Sequence, residues 1–335
     1  GGTASGIASH AEGIQTTASG NYSHAEGSGT TASFTATHAE GMGTVASSFY
    51  SHAEGFKTTA NGAYSHAEGG NTTANGAYSH VEGQDTKATA QDAHAEGYQT
   101  TASGPYSHSE GGLTTASAYY SHTEGYNSVS SGQNGHAEGS DTLASGNTSH
   151  AEGYNTTAKG NYSHAEGFST TARGSFAHSE GITTIASGNS SHAEGQSTTS
   201  IGDDSHAEGY LTRAIGDASH AEGFQTTAIG IYSHAEGYDT TAIGARSHSG
   251  GYNSTASGQT SFVHGENSFA NGTGTVVLGN SITGNDSNKV YVSQLNINAV
   301  GSAAFVNDIR IDASGNLTTN TSDERLKENI QPISN

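Results

Sequence analysis

Residues 150–163 read HAEGYNTTAKGNYS, and this unit recurs along most of the chain. A histidine opens each copy, so that 18 histidines follow one another from His10 to His248, each 14 positions after the last. A short fixed period is typical of a solenoid, in which each repeat forms one coil that stacks on the next. A residue present in every coil is expected to serve the stack, because a catalytic residue is needed only once.

The composition departs from that of a globular protein. The 335 residues include 48 Gly and no Cys, and hydrophobic residues make up 31%, compared with about 45–50% in typical domains. Small side chains suit a narrow coil, and stability without disulfides must come from stacking or oligomerisation. The formal net charge of −21 argues against a nucleic-acid partner. We find neither a signal peptide nor a long apolar run, so we expect no membrane insertion.

The positions of Ala and Gly predict two short strands in each coil. Counted from the histidine as zero, Gly occupies position +3 in all 18 copies, Ala occupies +8 in 16, and Gly occupies +10 in 14. Each half of the repeat is then a strand followed by a corner, where we expect glycine to supply the positive φ of a tight turn. The fold class is therefore all-β: a flattened roll of two sheets, roughly 90 Å long at about 4.8 Å per coil.

Side chains alternate along a strand, which assigns each position to the interior or to a face. Ala25 and Ala32 are expected to point inward, where only a methyl group fits between the sheets. His24 and Glu26 flank Ala25 and project from one face, and Thr31 projects from the opposite face.

The His/Glu face is the predicted subunit interface. It carries no Lys or Arg, and 18 of the 25 Phe and Tyr residues lie at +4 or −2, beside the His/Glu strand, where they would shield it from solvent. The Thr face accepts cations, at Lys87, Lys159, Arg173 and Arg213. One feature favours the Thr face as the interface instead. It is an apolar row formed by Ile201, Ile215, Ile229 and Ile243.

Histidine and glutamate are expected to form hydrogen bonds along and across coils, which would depress the pKa of the glutamates. The residues chosen to represent this interface ladder are His24, Glu26, His52, Glu54, His66, Glu68, His150, Glu152, His164, Glu166, His192, Glu194, His220, Glu222, His234 and Glu236. Two alternatives to this hydrogen-bonded ladder are open. The histidines could form rings on a trimer axis that hold metal ions, or the His and Glu side chains could simply face solvent without a specific role. Because 17 His-x-Glu copies far exceed what a metal site needs, no metal or cofactor is assigned.

Two segments, Thr227-Ala228-Ile229-Gly230 and Thr241-Ala242-Ile243-Gly244, resemble the head repeats of YadA-like trimeric adhesins, and Ser-His-Ala-Glu-Gly is a polar variant of that unit. The resemblance spans residues 1–262. It implies a left-handed parallel β-roll with three chains side by side, a homotrimer. Where that family often has aliphatic residues, this chain has His and Glu, so its interface would be polar.

A second resemblance concerns residues 321–330, which read TSDERLKENI. They resemble the start of the intramolecular chaperone of phage tail spikes and fibres, the endosialidase-type S74 peptidase domain. The resemblance implies self-cleavage of a precursor after Ser322, with Ser322 as the nucleophile and Lys327 as the assisting base. Only residues 322–335 of that domain are present, so we expect no activity from this chain itself.

Between the two resemblances the histidine register breaks, because the histidine after His248 is His264, 16 positions on. Residues 263–300 are predicted to form a neck. Residues 301–321 are predicted to form a small trimeric β segment, with a hairpin of Phe305–Ile311 and Leu317–Thr319 around a turn at 312–316.

These inferences together predict a non-enzymatic, homotrimeric phage tail fibre segment, located in the virion. It would act as a rigid rod in host attachment and contact a host cell-surface receptor, with glycans among the candidates. The head of a bacterial trimeric autotransporter adhesin, at the bacterial cell surface, is the alternative. An ice-binding β-solenoid is a third class, which regular Thr rows suggest and which interruptions at Lys87, Val129, Leu143 and Arg213 disfavour.

Overall fold

The computed structural model describes residues 1–293 and the backbone of two further strands, Ile309–Ile311 and Leu317–Thr319. The chain divides into two units, residues 1–293 and 294–335. Among the described residues every regular element is a β-strand. The first unit is a parallel β-solenoid. Each coil contributes one strand to each of two sheets, and each sheet has 21 strands. This architecture confirms the predicted all-β class.

The first sheet, here called the histidine sheet, contains the strand that opens each coil. Its strands are His10–Ile14, His24–Ser28, His38–Met42, His52–Phe56, His66–Ala67, His80–Gln84, His94–Tyr98, His108–Ser109, His122–Thr123, His136–Ser140, His150–Tyr154, His164–Phe168, His178–Ile182, His192–Gln196, His206–Tyr210, His220–Phe224, His234–Tyr238, His248–Tyr252, Phe262–Glu266, Val276–Leu278 and Val290–Val292.

The second sheet, the threonine sheet, is built from two-residue strands. They are Thr3–Ala4, Thr17–Ala18, Thr31–Ala32, Val45–Ala46, Thr59–Ala60, Thr73–Ala74, Lys87–Ala88, Thr101–Ala102, Thr115–Ala116, Val129–Ser130, Leu143–Ala144, Thr157–Ala158, Thr171–Ala172, Ile185–Ala186, Thr199–Ser200, Arg213–Ala214, Thr227–Ala228, Thr241–Ala242, Thr255–Ala256, Phe269–Ala270 and Thr283–Gly284.

Both sheets are parallel, and each residue pairs with the residue 14 positions along the chain. In the histidine sheet His150 pairs with His164, and in the threonine sheet Thr157 pairs with Thr171. The sequence period is therefore one turn of the solenoid. At about 4.8 Å per strand, the 21 coils extend over roughly 100 Å.

Alanine and small hydroxyl residues fill the interior. Ala25 and Ala32 are both 0% exposed, as the alternation predicts, and Ser23 and Thr30 are buried with them. The Ser23 hydroxyl donates to the carbonyl oxygen of Gly20 at 2.7 Å, and the serines before later histidines repeat this bond. This hydrogen bond closes the corner before the histidine strand, which explains why serine recurs three positions after the second glycine.

The two glycines of each repeat have different roles, and the prediction of positive φ at both was wrong. Gly167, at position +3, has a φ of +104° as predicted. Gly160, at +10, does not have a positive φ, and a Cβ atom there would collide with the carbonyl oxygen of Gly174 in the next coil. The corner positions +5 and −2 also have positive φ, and most residues there are not glycines: Asn155 has a φ of 54° and Tyr162 one of 58°.

The coils continue beyond residue 262, where the sequence analysis places the start of a neck. Phe262 pairs with His248 on one side and with Val276 on the other, and Val276 pairs with Val290. The register of the earlier coils is kept, and His264 occupies position +2 of the coil that Phe262 opens. The solenoid therefore extends to Val292.

In the second unit, Ile309–Ile311 pairs antiparallel with Leu317–Thr319. This antiparallel pairing is the one that the predicted hairpin requires, and residues 305–308 and 312–316 of that hairpin lie outside the described residues. The candidate cleavage residues Ser322 and Lys327 lie outside the described residues. The structure describes no helix with the length and apolar character needed to cross a membrane.

The glycine at +3 gives a direct test of the coil geometry. We expect Gly167→Ala to lower the free energy of unfolding by at least about 1–2 kcal/mol, since a left-handed conformation costs that much for a residue with a Cβ and the methyl would also collide with the carbonyl of Gly181. Chemical denaturation followed by circular dichroism measures this loss. Gly70→Ala is the matched control, because a Cβ at Gly70 meets nothing within 4 Å. Equal stability of the two variants would contradict the assigned geometry.

Candidate functional site

The outer face of the histidine sheet carries a continuous row of imidazoles and carboxylates, here called the His/Glu stripe. It consists of the histidines at position zero and the glutamates at +2, which project outward because the alanine between them points inward. Every residue chosen for the interface ladder lies on it, and paired strands bring His150 next to His164 and Glu152 next to Glu166. About a third of each side chain is exposed, as in His150 (36%) and Glu152 (33%).

The imidazoles stack on one another along the stripe. The ring centroids of His150 and His164 lie 4.8 Å apart with an interplanar angle of 1°, and those of His220 and His234 have the same spacing and angle. This spacing is the separation of adjacent strands, so the backbone pairing sets the distance between the rings.

Each glutamate lies between two histidines. The His52 Nε2 atom is 3.9 Å from Glu54 Oε2 in the same coil, and the His66 Nε2 atom is 3.9 Å from Glu54 Oε1. These are contacts between possible ion-pair partners, but they are too long for hydrogen bonds.

The predicted network of histidine–glutamate hydrogen bonds forms only in part. Three such bonds occur among the described residues, all between coils: His178 with Glu166 at 3.3 Å, His234 with Glu222 at 3.2 Å, and His248 with Glu236 at 3.2 Å. Where the histidine and glutamate of one coil come into contact, the Nε2 and carboxylate oxygen atoms are 3.6–3.9 Å apart. Most of the other Nε2 atoms are buried without a hydrogen-bond partner, His164 Nε2 among them.

In two runs of the stripe, Glu40 to Glu68 and Glu152 to Glu222, hydrogen bonding between stacked carboxyl groups makes the pKa values of successive glutamates alternate. A hydrogen bond with Glu194 is the main reason that the pKa of Glu180 is raised from 4.5 to about 7, and a hydrogen bond with Glu166 does the same for Glu152. The acceptors in these bonds shift the opposite way: the pKa of Glu166 is lowered mainly by its bond with Glu152, and that of Glu194 by its bond with Glu180. Two ionised carboxylates stacked at strand spacing repel each other, and one shared proton removes that repulsion.

The prediction that the glutamates have uniformly depressed pKa values was therefore wrong. The pKa values of Glu54 and Glu208 are also raised to about 7, whereas those of Glu40, Glu68 and Glu222 are lowered. The sequence analysis considered each glutamate beside its histidine and did not consider the glutamate stacked on it from the next coil.

Burial keeps the stacked imidazoles neutral. The pKa values of His52, His94, His164 and His220 are lowered from 6.5, first by desolvation and then by the neighbouring imidazoles. A lowered histidine pKa contributes stability that is present above pH 6.5 and is lost as the pH falls through the folded value. In the two runs of alternating glutamates, imidazoles with a lowered pKa, such as His52 and His164, thus lie beside carboxyl groups of which every second one has a pKa of about 7.

Aromatic side chains border the stripe on both sides and are here called the aromatic rails. On the −2 side Tyr64 and Tyr78 stack at 4.9 Å, and on the +4 side Phe224 and Tyr238 stack at 4.8 Å. The rings are substantially exposed: Tyr64 is 51% exposed and Tyr238 is 42% exposed. The rails are where the sequence predicts them, but within one chain they leave the stripe uncovered.

The threonine face carries the remaining features that the sequence singles out. Lys87 and Arg213 are exposed there, as predicted for cations that face water. Ile229 and Ile243 are 40% and 44% exposed. The outward threonines form a row that Val45, Lys87, Val129, Leu143, Ile185 and Arg213 interrupt.

Sequence reasoning missed one group of stripe residues. Gly250 takes the place of a glutamate, and His264 takes that place in the next coil, where its Nδ1 atom lies 3.8 Å from Glu236 Oε1. Continuing the count of the repeat by one period beyond His248 would have located this group, because the count reaches Phe262 and places His264 at +2.

Because the carboxyl pKa values alternate, the same Glu→Gln substitution is expected to change the melting temperature in opposite directions in two neighbouring coils. Because the pKa of Glu180 is raised, the protonated carboxyl of Glu180 stabilises the folded state. This stabilisation is fully present below pH 4.5 and is lost as the pH rises through about 7. Glu180→Gln, which stays neutral, is expected to raise the melting temperature at pH 8 relative to the unaltered protein and to change it little at pH 5. Glu166→Gln is the matched variant and is expected to lower the melting temperature at pH 8, since the pKa of Glu166 is lowered. Identical shifts for the two variants would contradict the alternation.

Comparison with known proteins relates the sequence of these coils to a known family of repeats. The family model described as the YadA head domain repeat (2 copies) matches residues 1–23, 11–33, 137–163, 179–205, 221–247 and 249–280. A search of curated proteins finds no match. Every matched segment lies in the coils of the first unit, so the chain carries YadA-like head repeats, and these repeats form a parallel β-solenoid.

Proposed function

We propose that this chain is a rod segment of a homotrimeric phage tail fibre, with the His/Glu stripe of each copy turned toward the other two. The observation that carries the proposal is the pair of exposed aromatic rails beside the stripe. Host attachment is the role we assign to the rod, through a host cell-surface receptor. We propose no enzymatic activity beyond self-cleavage of a precursor.

The aromatic rails supply apolar surface that a single chain leaves in water. Tyr22, Tyr162 and Phe176 on the −2 side are 67%, 58% and 62% exposed, and Tyr126 and Tyr154 on the +4 side are 55% and 50% exposed. Contiguous exposed apolar surface on this scale is characteristic of a protein–protein interface. Because the rings border the stripe along the rod, a partner that covers them also covers the stripe.

The charge of the stripe is compatible with contact between identical copies. The stripe carries no Lys or Arg, and a carboxyl with a pKa of about 7, such as Glu180, is partly protonated at neutral pH. Neutral imidazoles and shared protons reduce the repulsion that 17 ionised glutamates would otherwise cause between copies. The threonine face suits solvent, because Lys87 and Arg213 project from it. The number of copies, three, rests on the YadA-like repeats.

The assignment to a phage fibre rests on residues 321–330 and their resemblance to an intramolecular chaperone. The alternative, an adhesin head at a bacterial surface, is favoured by the match to the YadA head repeat. Both functions use the same trimeric rod, and they differ in whether a precursor cuts itself.

The trimer is tested by mass and by two lysine substitutions. Light scattering after size exclusion is expected to give three times the chain mass of 33.8 kDa. Glu166→Lys is expected to release lower-mass species, because it places a cation in the proposed interface. Thr157→Lys is the matched control and should leave the trimer intact, since Lys87 occupies the same position in another coil. A monomeric protein, or dissociation caused by Thr157→Lys alone, would count against the proposal.

Self-cleavage separates the fibre from the adhesin. Mass spectrometry of the polypeptide produced from its entire native reading frame is expected to show a product that ends at Ser322. Ser322→Ala is expected to abolish that product, because it removes the nucleophile. An uncut polypeptide that still forms trimers would contradict the phage-fibre assignment and favour the adhesin head.

A further inference from the structure

The His/Glu stripe loses its regular pattern at one place, between the coils that His234, His248 and Phe262 open. Gly250 stands where every earlier coil has a glutamate, and His264 stands at that position one coil later. The ring of His248 is turned by 73° relative to that of His234, whereas the rings of His220 and His234 are within 1° of parallel. This part of the stripe differs from the rest in both composition and geometry.

Two imidazoles from different coils converge here on one carboxylate oxygen. His248 Nε2 lies 3.2 Å from Glu236 Oε1, and His264 Nδ1 lies 3.8 Å from the same oxygen. Around a tetrahedral ion with bonds of about 2.0–2.1 Å, neighbouring donor atoms are separated by roughly 3.3–3.4 Å. The two donor separations bracket that value.

The absence of a side chain at Gly250 lets two of the donor groups come together. A Cβ atom at Gly250 would lie 2.5 Å from His264 Nδ1 and 2.9 Å from Glu236 Oε1, and it would collide with both. These two groups can therefore take their positions only because residue 250 is a glycine.

The regular coils do not offer this arrangement. There each glutamate presents one oxygen to each histidine: His192 approaches Oε2 of Glu194 at 3.8 Å, and His206 approaches Oε1 at 4.0 Å. The rings of His192 and His206 stack at 4.7 Å with parallel planes. Groups of two histidines and one glutamate do recur along the stripe, but at Glu194 the two histidines approach different oxygens of the carboxylate instead of the same one.

We propose that Glu236, His248 and His264 form a binding site for one divalent transition-metal ion per chain, with Zn²⁺ the best fit. The ligands are Oε1 of Glu236, Nε2 of His248 and Nδ1 of His264. Two imidazoles and one carboxylate are a donor set that zinc favours, and three protein ligands leave a fourth position for water or for a group of a partner. Imidazole binds a metal in its neutral form.

The site is tested by calorimetric titration of Zn²⁺ into the purified full chain after treatment with a chelator, repeated with Co²⁺ as a spectroscopic probe. One tight site per chain is expected above any weaker binding by the other histidines. The visible absorption of bound Co²⁺ is expected to show the bands of tetrahedral coordination. His264→Ala is expected to weaken the tight site by more than about 100-fold, since even changes to outer-shell partners cost 10–100-fold.

Two further variants make the test specific. Gly250→Glu restores the regular repeat and keeps all three ligand residues, but its side chain displaces His264 and Glu236, so it is also expected to abolish the tight site. His94→Ala removes a histidine of the regular stripe and is expected to leave the tight site unchanged, and circular dichroism checks that each variant keeps its fold. Many equivalent weak sites without a tight one, or equal losses in His94→Ala and His264→Ala, would overturn the proposal.

Discussion

Pairing between each residue and the residue 14 positions along the chain is the constraint on which the whole solenoid depends. It places every side chain on its counterpart in the next coil, at the spacing of adjacent strands. A side chain can occupy a position of the repeat only if it tolerates a copy of itself on either side. Flat rings tolerate this well, and the imidazoles of His150 and His164 stack at 4.8 Å. Ionised carboxylates do not, so the glutamates share protons, and the pKa of Glu152 rises while that of Glu166 falls.

The same constraint limits the size of the side chains that fit in the interior and at the corners. Ala25 and Ala32 fill the space between the sheets, and Gly160 has no room for a methyl group because of the carbonyl of Gly174. Each coil therefore buries little apolar area, and the exposed surface must provide additional stability. The aromatic rails are exposed apolar features of that surface, which is why we propose a fibre of several chains.

Much of the fold could be predicted from the sequence because a period of 14 is unambiguous. The two strands per coil, the inward alanines and the outward His/Glu stripe all follow from counting and from alternation along a strand. The role of Gly160 could not be predicted, because composition does not distinguish a positive φ from close contact between coils. The end of the solenoid was misplaced because histidine identity was used as the marker of the repeat, whereas Phe262 and Val276 continue its backbone register.

The candidate site was predicted in its location but not in its chemistry. Histidine–glutamate bonds along and across coils were expected, whereas in the structure the stacked Glu152 has the largest influence on the pKa of Glu166. Convergence of His248 and His264 on Glu236 also depends on three successive coils and on the absence of a side chain at Gly250. Contacts between coils are invisible when one repeat is read at a time.

Electron cryomicroscopy of the purified rod, at a resolution that separates adjacent strands, tests the central claim most directly. The account predicts three parallel solenoids in one particle, with the imidazoles and carboxylates of the stripe facing the common axis and the threonine sheet facing solvent. A particle that contains a single solenoid, or one in which the threonine sheets meet and the stripe faces solvent, would contradict it.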